Sequence, residues 1–157
     1  MGYRHRRIKG LQIDTVKTIF FIIKGNHNDP EGNAFPKLKM TGKQHWTDKA
    51  QDYVKWKAFV QKQLMNELRI VDGDAWRECE KNFITTKSHK PIVIEKNQTA
   101  RMDILISWKG NTHGDPENIF GSIADALFHN DKNLFGSFLP LEGKTTGEVW
   151  CTITISD

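Results

Sequence analysis

Between Asp48 and Arg69 the apolar residues Tyr53, Trp56, Val60, Leu64 and Leu68 recur every three or four positions. That spacing puts all five on one stripe of a helix, with Lys49, Lys57, Lys62 and Arg69 largely outside it. Thr47 or Asp48 supplies the N-cap. The pattern predicts a long helix with one face on a core and a basic, solvated back.

What surrounds this helix reads mostly as strands. Residues 16–24, rich in β-branched and aromatic side chains, form a first strand, and Glu148 to Ile155 form the last. In the last strand Val149, Cys151, Ile153 and Ile155 alternate with polar partners. Pro91–Glu95 and Met102–Trp108 read as two strands of a hairpin, and Lys132–Leu139 as a strand or turn. Residues 72–90 are polar and irregular, with a short helix around Ala75–Lys81. A second principal helix spans 116–128. Helices and strands so interleaved imply a single α+β domain over 16–157, with a mixed or mainly antiparallel sheet and two principal helices.

Residues 1–15 read as a flexible basic arm around Arg4, Arg6, Arg7 and Lys9; it either grips phosphates or is simply a solvated tail. With 23 Lys+Arg against 19 Asp+Glu the net charge is +4, which suits a polyanionic partner without requiring one. No apolar run approaches the ~20 residues that cross a bilayer. Ile19–Ile23, bracketed by Lys17 and Lys24, reads as a buried strand and not as a signal peptide. Cys79 and Cys151, far apart, suggest neither a disulfide framework nor a zinc site, and fit a reducing cytoplasm. A phosphate-cradling loop and a nucleophile elbow are both missing from the sequence.

The chemistry concentrates in Gly114-Asp115-Pro116-Glu117-Asn118 and, beyond an apolar-periodic run ending at Asp125, in Asn130-Asp131. Carboxylates gathered in a basic chain repel one another unless a cation holds them, and oxygen ligands suit Mg²⁺. Asp115 suits the N-cap and Pro116 the first helical position. Capping and the helix dipole alone also favour acids there, so both readings stand. Ile119, Ile123, Ala126 and Leu127 make the core arc, while Asn118, Gly121, Ser122 and Asp125 make the opposite, outward arc. Asp125 lies ~15 Å along the axis from Asp115 and cannot share an ion with it. The turn at Phe128-His129-Asn130 is expected to reverse the chain and return Asp131 to Asp115 and Glu117.

These residues resemble the RusA family of Holliday-junction resolvases. The likeness rests on Asp115-Pro116-Glu117-Asn118, Asp125-Ala126-Leu127 and Asn130-Asp131, with a weaker upstream part in Gly25, Pro36-Lys37-Leu38-Lys39 and Tyr53-Val54-Lys55-Trp56-Lys57. It implies a homodimeric endonuclease that uses Mg²⁺, with Mn²⁺ able to substitute, and cuts four-way DNA junctions by paired symmetric nicks. By the resemblance Asp115, Glu117 and Asp131 are the metal-binding catalytic acids, and Asn118 and Asp125 support them. It also implies a phage or prophage origin, with action in the host cytoplasm.

Three departures stand out. Glu117 replaces the usual Asp, Gly121 replaces a DNA-facing Lys, and the segment from Leu127 to Asp131 is short. Lys37, Lys39 and Lys43 are candidates for positioning phosphates, or serve solubility alone. The competing functions are a metal-dependent nuclease on another branched nucleic acid and a DNA-binding module without catalysis.

Overall fold

Alternation of apolar and polar residues builds the sheet and decides which side of it is covered. The computed structural model describes residues 16–38, 47–110, 113–142 and 145–157 in full, and the backbone of 6–8 and 11–13. Strands β1 (Arg6–Ile8) and β2 (Leu11–Ile13) form a two-stranded antiparallel ladder within the expected N-terminal arm. β3 (Val16–Lys24) pairs along its whole length with β6 (Glu148–Ser156), antiparallel. β6 also pairs antiparallel with β4 (Thr99–Ile106), and β4 pairs in parallel with β5 (Leu134–Pro140). The order is β3-β6-β4-β5, so β3 and β5 are the edges of a mixed four-stranded sheet.

Ile19, Phe21 and Ile23 of β3, Met102, Ile104 and Ile106 of β4, and Val149, Cys151 and Ile153 of β6 all point into one core. Against them lies the stripe of α1 (Asp48–Val71), where Ala50, Tyr53, Trp56, Val60, Leu64 and Leu68 are buried. Thr47 caps this helix, accepting the Ala50 N–H at 3.1 Å. Each large side chain fully removed from water here contributes about 2–3 kcal/mol of transfer free energy. Ile119, Ile123, Ala126 and Leu127 of α3 (Pro116–Leu127) complete the core. The fold is a single α+β domain.

Two details depart from the expectations above. First, a third helix of some length is present: α2 (Gly73–Thr85) covers 13 residues, not a short turn around 75–81. Its start is fixed by Asp72, whose backbone N–H closes α1 on Leu68 O at 2.8 Å. The Asp72 side chain then accepts the Ala75 N–H at 3.1 Å. Second, Pro91–Glu95 is not a hairpin strand. Ile92 makes a lone parallel bridge to Phe128, and Ile94 is clasped by the Asn130 amide, whose Oδ1 accepts from its N–H at 2.9 Å and whose Nδ2 donates to its C=O at 2.8 Å. The apolar alternation of Ile92 and Ile94 is satisfied beneath the end of α3 instead of in the sheet.

The sheet is mixed, as expected: β5 is parallel to its neighbour β4, the two joined by α3. This βαβ crossover is close-packed where α3 crosses β5. A Cβ on Gly136 would lie 1.9 Å from Met102 O and 2.6 Å from the Phe120 ring, so only glycine lets the helix and strands approach this closely.

Candidate nuclease site

The acidic segment is presented by the start of α3. Pro116 takes the first helical position and Asp115 the N-cap backbone geometry, at φ −73° and ψ 145°. The Asp115 carboxylate makes no capping hydrogen bond. Asp115, Glu117 and Asn118 are exposed, and among the described residues neither acid is engaged in an ion pair. Just upstream the His113 ring stacks on Trp108, centroids 3.8 Å apart and planes within 9°.

Asp131 is also exposed, in the turn before β5, where its C=O accepts the Leu134 N–H at 3.1 Å. It does not return to Asp115. β5 runs parallel to β4, with Ala100 opposite Leu134, so the chain must begin β5 at the end of the sheet where β4 begins. The 12 residues of α3 lie between. At 1.5 Å per residue they separate the two ends by about 18 Å. Among the described residues no three His, Cys, Asp or Glu side chains lie close enough to hold one ion. The expected trio of Asp115, Glu117 and Asp131 is thus divided within one chain, two at the start of α3 and one beyond its end.

The outward arc of α3 is corrected too. Ser122 is fully buried, donating to Phe35 O at 2.5 Å and accepting the Trp56 Nε1–H at 3.1 Å. Asp125 is half-buried against α1. Its Oδ2 accepts the Tyr53 hydroxyl at 2.9 Å, its Oδ1 accepts Lys90 Nζ at 3.0 Å, and Lys57 Nζ lies 3.6 Å away. Burial pushes the Asp125 carboxyl up, but the Lys90 hydrogen bond, both ammonium charges and the Tyr53 hydroxyl outweigh it and hold the group below the usual carboxylate range. Burial, then the Asp125 charge, push the Tyr53 phenol well above its ordinary value, so it stays a donor. Asp125 ties α3 to α1 and to the segment before Pro91; it is not placed to support an ion at Asp115.

Lys37 is exposed, with its backbone N–H on Asn118 O at 2.8 Å and its stem lying over Gly121. Lys39 and Lys43 lie outside the described residues.

Two contacts carried no clear signal in the sequence. His27 Nε2 meets Asp52 Oδ1 at 2.5 Å, and Asn28 donates to the same oxygen at 3.0 Å. The His27 bond, against a smaller opposing effect of burial, lowers the Asp52 carboxyl from its ordinary value. Lys90 reaches Asp125 from a segment that no periodicity connects to α3, whereas Tyr53 and Lys57, four apart on α1, could have been paired by helical spacing. No helix among the described residues is long and apolar enough to cross a membrane.

A comparison with protein-family models finds no match, and none of the curated proteins matches.

Proposed function

We propose that this chain is a divalent-metal-dependent endonuclease for branched DNA, four-way junctions above all, and that its acid sites are completed by pairing of two copies along β5. The observation that carries the reading is that two exposed acids stand at the start of α3 and a third just before the start of the edge strand β5. β5 has no charged residue along Leu134–Pro140, and Phe135, Phe138 and Leu139 are 59%, 36% and 57% exposed. An uncharged, apolar edge without a protective lysine is a surface for another strand.

Two-fold pairing of such edges is antiparallel and sets the start of β5 against the end of the partner's β5. At that far end Pro140 lies beside Ile106, from which the chain leaves the sheet toward Asp115. Asp131 of one copy is thereby carried to the end of the assembly that holds the partner's Asp115 and the partner's Glu117. Two equivalent sites result, which suits paired symmetric nicks.

The donor set fits a hard cation: three solvent-facing carboxylates, none committed to a capping bond or an ion pair among the described residues. When bound, Mg²⁺ or Mn²⁺ supplies charge neutralisation at the scissile phosphate and acidifies the attacking water. The protein's own part is to hold Asp115 and Glu117 on a rigid helix start and Asp131 at a strand start. Lys37, whose backbone is bonded to Asn118 and whose stem lies over Gly121, adds a positive side chain to this helix.

The decisive test mixes two inactive variants. Asp115→Asn and Asp131→Asn should each abolish junction cleavage in Mg²⁺. Refolded together, they should regain about a quarter of the wild-type sites, because each mixed dimer has one site with all three acids. A mixture that stays dead while the wild type cuts refutes the shared site. A wild type that cuts neither junction, flap, duplex nor RNA refutes the nuclease. The second reading, a DNA-binding module without hydrolysis, is favoured by the division of the acids within one chain; it requires junction binding that Mg²⁺ neither strengthens nor follows with a cut.

A further inference from the structure

Gly121 stands in the middle of α3, where glycine costs about 1 kcal/mol relative to alanine. No turn or left-handed backbone explains it, since its φ is not positive. Its surroundings do. A Cβ at this position would meet Lys37 Cδ at 3.3 Å and Lys37 Cβ at 3.5 Å, so the lysine stem lies directly across the bare helix backbone.

The segment carrying Lys37 is fastened to the helix at two points. Phe35 O accepts the buried Ser122 hydroxyl at 2.5 Å, and the Lys37 N–H donates to Asn118 O at 2.8 Å. The Phe35 ring stacks on Trp56, centroids 5.6 Å apart, which anchors the strand of chain further. Most long surface lysines lose rotamer entropy when they bind anything. Here the stem is already laid into a slot, one helical turn from Asn118 and on the same helix as Glu117. Lys57 and Lys90, by contrast, are taken up by Asp125. Among the described residues no carboxylate neutralises Lys37.

We propose that Lys37, seated in the slot that Gly121 leaves in α3, is the cation of the acid site and contacts a backbone phosphate of the nucleic acid beside the one being cut. This rests on the endonuclease reading above and assigns that site's contact with the DNA backbone. It also gives Gly121 a purpose: a Cβ there would press on the lysine stem, 3.3 Å from its Cδ.

The test uses the full chain with three variants: Lys37→Met, which keeps the stem and removes the charge; Lys37→Ala; and Lys37→Ala combined with Gly121→Lys, which sends an ammonium out from the helix into the vacated slot. Junction cleavage in Mg²⁺ should fall about 10- to 100-fold in both single variants, the loss of one charge-assisted hydrogen bond. It should recover substantially in the double variant. Binding of a fluorescent junction without divalent ions should weaken, with the log–log salt slope smaller by about 1, a change that a merely structural role would not produce. Lys37→Met cutting and binding like the wild type, or a double variant no better than Lys37→Ala, overturns the proposal. If the wild type binds DNA without cutting, the nuclease reading fails by itself, and the salt slope of Lys37→Met still decides for or against the phosphate contact. A wild type that binds no nucleic acid overturns both.

Discussion

Replacing Asp125 with alanine should cost this protein much of its stability, and the cost should vanish in acid. The carboxylate is 27% exposed, and the two ammonium groups it serves belong to side chains 23% and 17% exposed. Its removal leaves Lys57, Lys90 and the Tyr53 hydroxyl facing one another without a counter-charge. Breaking a fully buried pair costs about 3–5 kcal/mol, and an exposed one about 0–1. Three-quarters burial places this site between them, at about 2–3 kcal/mol. For a chain of this size that lowers Tm by about 5–10 °C.

The sign of the pH dependence follows from the lowered carboxyl. A group held below its unfolded value contributes stability that is fully present above the unfolded value and lost as pH falls through the folded one. Urea unfolding of wild type and Asp125→Ala should therefore differ by the full amount at neutral pH, and the difference should shrink steadily on acidification below the ordinary aspartate range. Asp125→Asn, which keeps an acceptor for Tyr53 but no charge, should fall between the two. A difference independent of pH, or midpoints equal within error at neutral pH, would show that the cluster is held by water and not by its own charges.

Other consequences are as direct. Ser122→Ala leaves the buried Trp56 indole N–H without its acceptor and should destabilise by about 1–3 kcal/mol in urea, with a shift in tryptophan emission. On the proposed dimer and nuclease reading, Leu139→Glu, which puts a charge on the apolar edge, should turn a sedimenting dimer into a monomer with wild-type circular dichroism and no junction cleavage. Gly136→Ala forces Met102 O and Phe120 apart and should cost about 1–3 kcal/mol; an unchanged Tm would mean that the crossover is looser than the contacts state. Burial pushes the Cys79 thiol up to about 11 and the Cys151 thiol further still, so neither should react with an aromatic disulfide reagent at neutral pH until urea opens the core.

Much of the framework was legible in the residues themselves. The alternation of Val149, Cys151 and Ile153 and the stripe from Tyr53 to Leu68 depend on local spacing, and both elements formed where spacing put them. Ser122 and Asp125 were misread as outward because polarity alone does not name a partner. Trp56 and Tyr53 each turn one polar atom toward α3, and a serine and an aspartate meet them there. Pro91–Glu95 looked like a strand because Ile92 and Ile94 alternate correctly, yet the end of α3 and the Asn130 amide took them first. The separation of Asp131 from Asp115 had no local signature. It follows from the direction in which β5 pairs, and direction is a property of two distant segments.

If the dimer reading holds, acids divided between the start of α3 and the turn beyond its end make the lone molecule harmless. On the dimer reading, one copy carries two incomplete halves and can injure no DNA until it meets its twin. Nicking would then rise with the square of the amount of protein at low abundance, and both cuts would be armed in the same encounter.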